Sequence, residues 1–110
     1  MKIKTTENEV TSAIIDGLNA HGYKVWKAFA GTAPIFHKGQ MVFRRQKPGL
    51  QTKGMSDLIA IKEKVLFIEV KSSNGRTSPE QAEFISLVNS ISTDIIGVVA
   101  NSWEDVEKYI

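Results

Sequence analysis

Two apolar runs separated by three charged residues constrain this chain most. "DLIAIK" (Asp57–Lys62) and "VLFIEVK" (Val65–Lys71) flank Lys62-Glu63-Lys64 and read as an antiparallel hairpin. Glu69 and Lys71 stand two residues apart in the second run, and side chains at i and i+2 of a strand share one face. Charges buried on a greasy strand cost several kcal/mol per ion unless they are paired or coordinate a metal. The choice is between a solvated sheet face and a site.

Register decides it. With a three-residue loop, Ile61 pairs with Val65 and Asp57 falls opposite Glu69, with their side chains on one face at roughly 5 Å between Cβ atoms. A two-residue loop sends them to opposite faces unless a bulge intervenes. Two carboxylates that close repel unless a cation sits between them. Mg²⁺ is commonly held by one or two carboxylates, with waters and phosphate oxygens completing the shell. Lys71 on the same face can orient a water or stabilise charge on a phosphate. The chemistry expected is metal-assisted phosphodiester hydrolysis.

The rest of the chain predicts a mixed α/β sheet. A helix is expected from about Glu7 to Ala20, where Val10, Ala13, Ile14 and Leu18 recur at helical spacing before Gly22. Thr6 and Glu9 fit a capping box, with Glu9 reaching back to the Thr6 N–H. Glu7 shares the stripe of Val10 and Ile14 and is expected to face inward. "YKVWKAFA" reads as a strand, with Tyr23, Val25 and Lys27 on one face and Trp26 and Ala28 on the other. "IFHK" and "MVFRRQ" suit a hairpin turning near Gly39, and "KPGLQTKG" a loop. Ser78 and Pro79 open a helix carrying Phe84, Ile85, Leu87, Val88 and Ile91. "DIIGVVA" is an apolar strand, and "SWEDVEKYI" a short final helix capped by Ser102 or Asn101. The crossover from "VLFIEVK" to "DIIGVVA" is expected to make a right-handed parallel βαβ unit. Trp26, Phe29 and Phe43 read as core, and His21 and His37 as structural or surface residues.

Charge distribution adds a partner. Net charge is only +2, yet no Asp or Glu occurs from Gly17 to Ser56, where seven of the 14 basic residues lie. Such asymmetry fits an anionic partner, nucleic acid foremost, or a solvated basic face. The candidate DNA contacts are Lys27, Lys38, Arg44, Arg45, Lys47 and Lys53. The absence of cysteine excludes disulfides and thiolate metal sites. No apolar run approaches the roughly 20 residues that span a bilayer, and "MKIKTTENEV" lacks a signal-peptide core. One domain over residues 1–110, in the cytoplasm of a bacterium or of a phage's host, is the expectation.

"GMSD", then "EVK" eleven residues later, then "SPEQ", resembles the PD-(D/E)xK nuclease superfamily, and more narrowly its stand-alone VRR-NUC (virus-type replication-repair nuclease) domains. "ENEVTSAIIDGLNAHGYKVWKAFAG", "KGMSDLIAI" and "VLFIEVKSSNGRTSPEQAEFISLV" are similar to that family's opening helix and strand, glycine-aspartate strand, and ExK strand with its following helix. Met55-Ser56 replaces the proline of the superfamily name, and Lys27 stands where arginine is expected. The resemblance implies a restriction-endonuclease-like core with the order α-β-β-β-α-β-α. It also implies a catalytic set of Asp57, Glu69, Lys71, Gln81 and Glu7, with Mg²⁺ or Mn²⁺ on Asp57, Glu69 and the Val70 carbonyl. By the same resemblance the chain is a homodimeric endonuclease of branched DNA, similar to Holliday-junction resolvases. The rival readings are a non-catalytic nucleic-acid-binding module and a sequence-specific restriction-type nuclease.

Overall fold

The computed structural model describes residues 6–27, 32–45 and 56–110; the side chains of 32–37 and 41–45 lie outside this description. The first helix, α1 (Glu7–Ala20), has the expected bounds and buries Val10, Ile14 and Leu18. Its cap differs in one half. The Thr6 hydroxyl accepts from the Glu9 N–H, but the Glu9 carboxylate accepts from that same hydroxyl rather than from the Thr6 N–H. Glu7 is exposed, so its expected inward orientation is not found. At the first turn, the stripe it shares with Val10 has run past the edge of the core.

After α1 come β1 (Lys24–Lys27), β2 (Thr32–His37) and β3 (Gln40–Arg45). The strands β2 and β3 form their own two-stranded sheet, joined at Lys38 and Gly39. Both turn residues have positive φ, 52° and 79°, as a tight two-residue hairpin turn requires. The chain continues through β4 (Leu58–Ile61), β5 (Val65–Val70), α2 (Pro79–Ile91), β6 (Ile95–Ala100) and α3 (Trp103–Glu107). Ser102 caps α3, but without a side-chain hydrogen bond.

The main sheet runs β1-β4-β5-β6. Its first two pairings are antiparallel and β5–β6 is parallel. With the β2–β3 hairpin set aside, the order is the expected α-β-β-β-α-β-α. Mixed strands flanked by helices make this an α/β fold of the restriction-endonuclease-like kind.

Alternation divides the sheet into two faces. Leu58, Ala60, Leu66, Ile68, Val70, Val98 and Ala100 are buried with Val10, Ile14 and Leu18 of α1 and Val106 of α3. The opposite face carries α2, where Phe84 meets the edge of the Phe67 ring with centroids 5.6 Å apart. Asn89 ties α2 to the outer edge of β6: its amide donates to the Gly97 carbonyl at 3.2 Å and accepts from the Gly97 N–H at 2.9 Å. Among the described residues, no element covers this second face over β1 and β4. Trp26 is 54% exposed and Ile61 40% exposed. The reading of Trp26 as core is therefore corrected: α2 connects β5 to β6 and covers those strands, not β1. The side chains of Phe29 and Phe43 lie outside the described residues. No helix among the described residues is long and apolar enough to cross a membrane.

Candidate active site

The hairpin has the three-residue loop. Ile61 pairs with Val65 and Leu58 with Ile68, and the Lys62 N–H bonds the Lys64 carbonyl at 3.0 Å. Asp57, one residue before β4, thus stands opposite Glu69 of β5. An Asp57 carboxylate oxygen accepts from the Val70 N–H at 2.9 Å, extending the ladder one step beyond the paired strand. Asp57 is half-buried, whereas the Glu69 side chain is only 4% exposed.

Two side chains hold the buried carboxylate. Gln81 Nε2 donates to Glu69 Oε1 at 2.7 Å. Lys71 Nζ lies 3.4 Å from the same oxygen and donates to Gln81 Oε1 at 2.9 Å. Gln81 Oε1 also accepts from the Ser78 N–H at 2.9 Å, while the Ser78 hydroxyl accepts from the Gln81 N–H. Gln81 therefore does two things at once. It closes the capping box of α2, and its amide, fixed by that box, orients both Glu69 and Lys71.

Glu69 Oε2 is buried and has no hydrogen-bond partner among the described residues. Burial, and then the charge of Asp57, push the Glu69 carboxyl up from 4.5 to about 7, against the opposing pull of Lys71. An unsatisfied buried carboxylate oxygen beside a second acid is an unstable arrangement in an apolar setting. It fits a hard divalent cation, whose charge would reverse the desolvation and repulsion that now disfavour the ionised pair. The donor set is small: among the described residues no group of three or more His, Cys, Asp or Glu is placed to hold a metal ion.

The other predicted residues distribute as follows. Val70 ends β5 with its side chain in the core. Glu7 is exposed in the first turn of α1, which packs on the sheet face opposite Glu69, and its side chain has no hydrogen bond or ion pair among the described residues. Lys27 is exposed at the end of β1, paired with Leu58, one residue from Asp57. Lys38 is exposed at the β2–β3 turn. Arg44 and Arg45 are placed by their backbone in β3, and Lys47 and Lys53 lie outside the described residues.

One residue at the site went unnoticed in the sequence. Gly75 closes a turn by donating its N–H to the Ser72 carbonyl at 3.0 Å. A Cβ there would sit 3.0 Å from Lys71 Cβ and 3.2 Å from Lys71 Cδ, so the Lys71 stem lies against bare backbone. The Asn74-Gly75 pair marks a turn in the sequence, but nothing local says which side chain the turn packs against.

Comparison with curated proteins and with solved structures gives no significant match. The family model described as "VRR-NUC domain" matches residues 33–102, a span that contains Asp57, Glu69, Lys71 and Gln81 and leaves α1 and β1 outside. With that match over more than half of the chain, and the aspartate, the ExK pair and the glutamine gathered at one point of the sheet, the chain belongs to the VRR-NUC domain family of nucleases.

Proposed function

We propose that this chain is a metal-dependent DNA endonuclease that hydrolyses phosphodiester bonds and prefers branched DNA. The observation that carries the proposal is the unpartnered, buried Glu69 Oε2 next to Asp57, with Lys71 alongside. Asp57 and Glu69 would hold Mg²⁺ or Mn²⁺, with the Val70 carbonyl as a further ligand. The ion supplies Lewis acidity at the phosphate and activates water. Gln81 and Glu69 hold the Lys71 ammonium by its hydrogens and leave it directed along the site face. There it orients the attacking water and offsets the negative charge that grows on the phosphate as the P–O bond to the leaving oxygen breaks. Gln81, anchored through Ser78, bridges Lys71 and Glu69 and fixes the geometry of their ion pair. Lys27, Lys38, Arg44, Arg45, Lys47 and Lys53 are the proposed backbone contacts, and a homodimer would present two such sites to the arms of a junction.

The test is cleavage of a labelled four-way junction, a fork and a linear duplex in Mg²⁺ and in Mn²⁺, with Asp57→Ala and Lys71→Ala as controls. Junction cleavage by the wild type, lost in both variants, is the expected result. Equal binding by all three proteins without cutting would identify a binding module instead. Cutting confined to fixed sequences of the linear duplex would identify a restriction-type nuclease.

Gly75→Ala tests the setting of Lys71 separately. The added methyl pushes on the Lys71 stem, and a misplacement of this order lowers turnover by roughly 10- to 100-fold while the fold is retained. Single-turnover rates alongside thermal melting measure it; an unchanged rate would mean that the position of Lys71 does not matter to the chemistry.

A further inference from the structure

We propose that Trp26 is a stacking platform for an unpaired nucleobase of the DNA substrate, beside the phosphate held at Asp57 and Glu69. The inference rests on the nuclease reading and extends it to how the substrate is recognised. Trp26 is the most exposed aromatic side chain among the described residues, at 54%. An indole that open on a strand loses its hydrophobic stabilisation unless something covers it.

Its placement says what. Trp26 pairs with Ile59, which pairs in turn with Phe67, so the three share a row across β1, β4 and β5. Asp57 lies two residues before Ile59 on the same face, and Glu69 two residues after Phe67. Trp26 is thereby the diagonal neighbour of Asp57, with their backbones about 7–8 Å apart. The α2 helix roofs Phe67 through Phe84 and does not extend over the β1–β4 half of this face, which no other described element covers, with Ile59 half-buried and Ile61 exposed beside the indole. The open apolar floor is thus continuous with the carboxylate pair.

Charge selects the occupant. Lys24, exposed and two residues from Trp26, shares its face, while the equally exposed Lys27 follows on the opposite face; the four-residue strand carries no acid. An aromatic face with an ammonium group beside it suits a base and its phosphate: the ring takes the π-face and Lys24 takes the backbone. A paired base, stacked on both sides within a duplex, has no free face to offer. The platform therefore selects DNA with unpaired bases next to the cut, as at a branch, flap or gap.

The other tryptophan makes a contrast. Trp103 is half-buried, its ring stacked on His21 at 5.7 Å and its Nε1 bonded to Glu107. It has a structural position; Trp26 does not.

The experiment measures binding in EDTA, where no cleavage intervenes, and cleavage separately in Mn²⁺. The probes are a fork carrying unpaired bases at the branch and the same fork with abasic residues in their place. Trp26→Ala is expected to weaken binding to the base-containing fork by roughly 5- to 100-fold. Trp26→Phe should retain most of the affinity, and on the abasic fork wild type and Trp26→Ala should bind alike. Equal binding of wild type and Trp26→Ala to the base-containing fork overturns the proposal, as does an equal loss on both forks, which would mean a role unrelated to bases. Wild-type cleavage with no Trp26 effect removes the platform and leaves the nuclease reading intact. A base-dependent Trp26 effect with no wild-type cleavage in Mn²⁺ keeps the platform and removes the nuclease reading.

Discussion

Glu69→Gln is expected to abolish Mn²⁺-dependent cleavage and, in the same protein, to raise the stability of the metal-free fold at pH 8. The two effects share one cause. Glu69 is a nearly fully buried acid whose Oε2 has no partner and whose ionised form is disfavoured by burial and by Asp57. Glutamine keeps the shape, and its amide oxygen can still accept from Gln81 Nε2, which now bonds Oε1 at 2.7 Å. What it removes is the charge that has to be kept ionised in an apolar place. Loss of a charged donor to the metal should lower the cleavage rate by roughly a thousandfold or more. Removal of the buried charge should stabilise the metal-free chain by as much as about 3 kcal/mol at alkaline pH. Cleavage rates and chemical denaturation in EDTA at pH 8 measure the two sides. A variant that is both inactive and less stable at that pH would contradict the account, since Glu69 would then be a structural residue and not an acid strained for metal binding.

The metal-free wild type should lose stability as the solution becomes more alkaline, and a divalent ion should restore it. In the folded chain Glu69 is pushed up from 4.5 to about 7, so the folded state retains a proton that the unfolded chain has already released. The stabilising contribution is complete below pH 4.5 and disappears as pH rises through about 7. Its size is on the order of 3 kcal/mol, or roughly 10 °C in Tm for a domain of this length. Mn²⁺ at pH 8 should recover much of this, because it binds the pair that is already ionised there and offsets its burial and repulsion. In Glu69→Gln the same pH interval should be nearly flat. Melting curves in EDTA from pH 4 to pH 9, repeated with added Mn²⁺, test this; a flat wild-type profile between pH 4.5 and 7.5 would show that Glu69 ionises freely in the fold.

Local signals carried much of the fold. The bounds of α1 followed from Thr6, the Val10–Ile14–Leu18 spacing and Gly22, and the start of α2 from Ser78-Pro79. The Lys62-Glu63-Lys64 loop set the register of β4 on β5, and that register brought Asp57 opposite Glu69. These features are legible because each is governed by a few consecutive residues: a cap, a turn length, a side-chain period of two.

Other features depended on where whole elements come to rest. Glu7 lies on the apolar stripe by spacing, yet it is exposed, because the core ends before the first turn of α1. Trp26 alternates as a core residue would, yet α2 spans only β5 and β6 and leaves it bare. Gln81 is a site residue by resemblance; only the packing of α2 over the end of β5 lets the same amide also close the helix cap. Sequence alone thus determined the elements and the crossover and reduced the pairing of the two acids to a choice of loop length, since local periodicity and turn length govern them. Tertiary structure decided which oxygen is buried without a partner and which aromatic faces solvent, since both depend on the footprint of one helix on a four-stranded sheet.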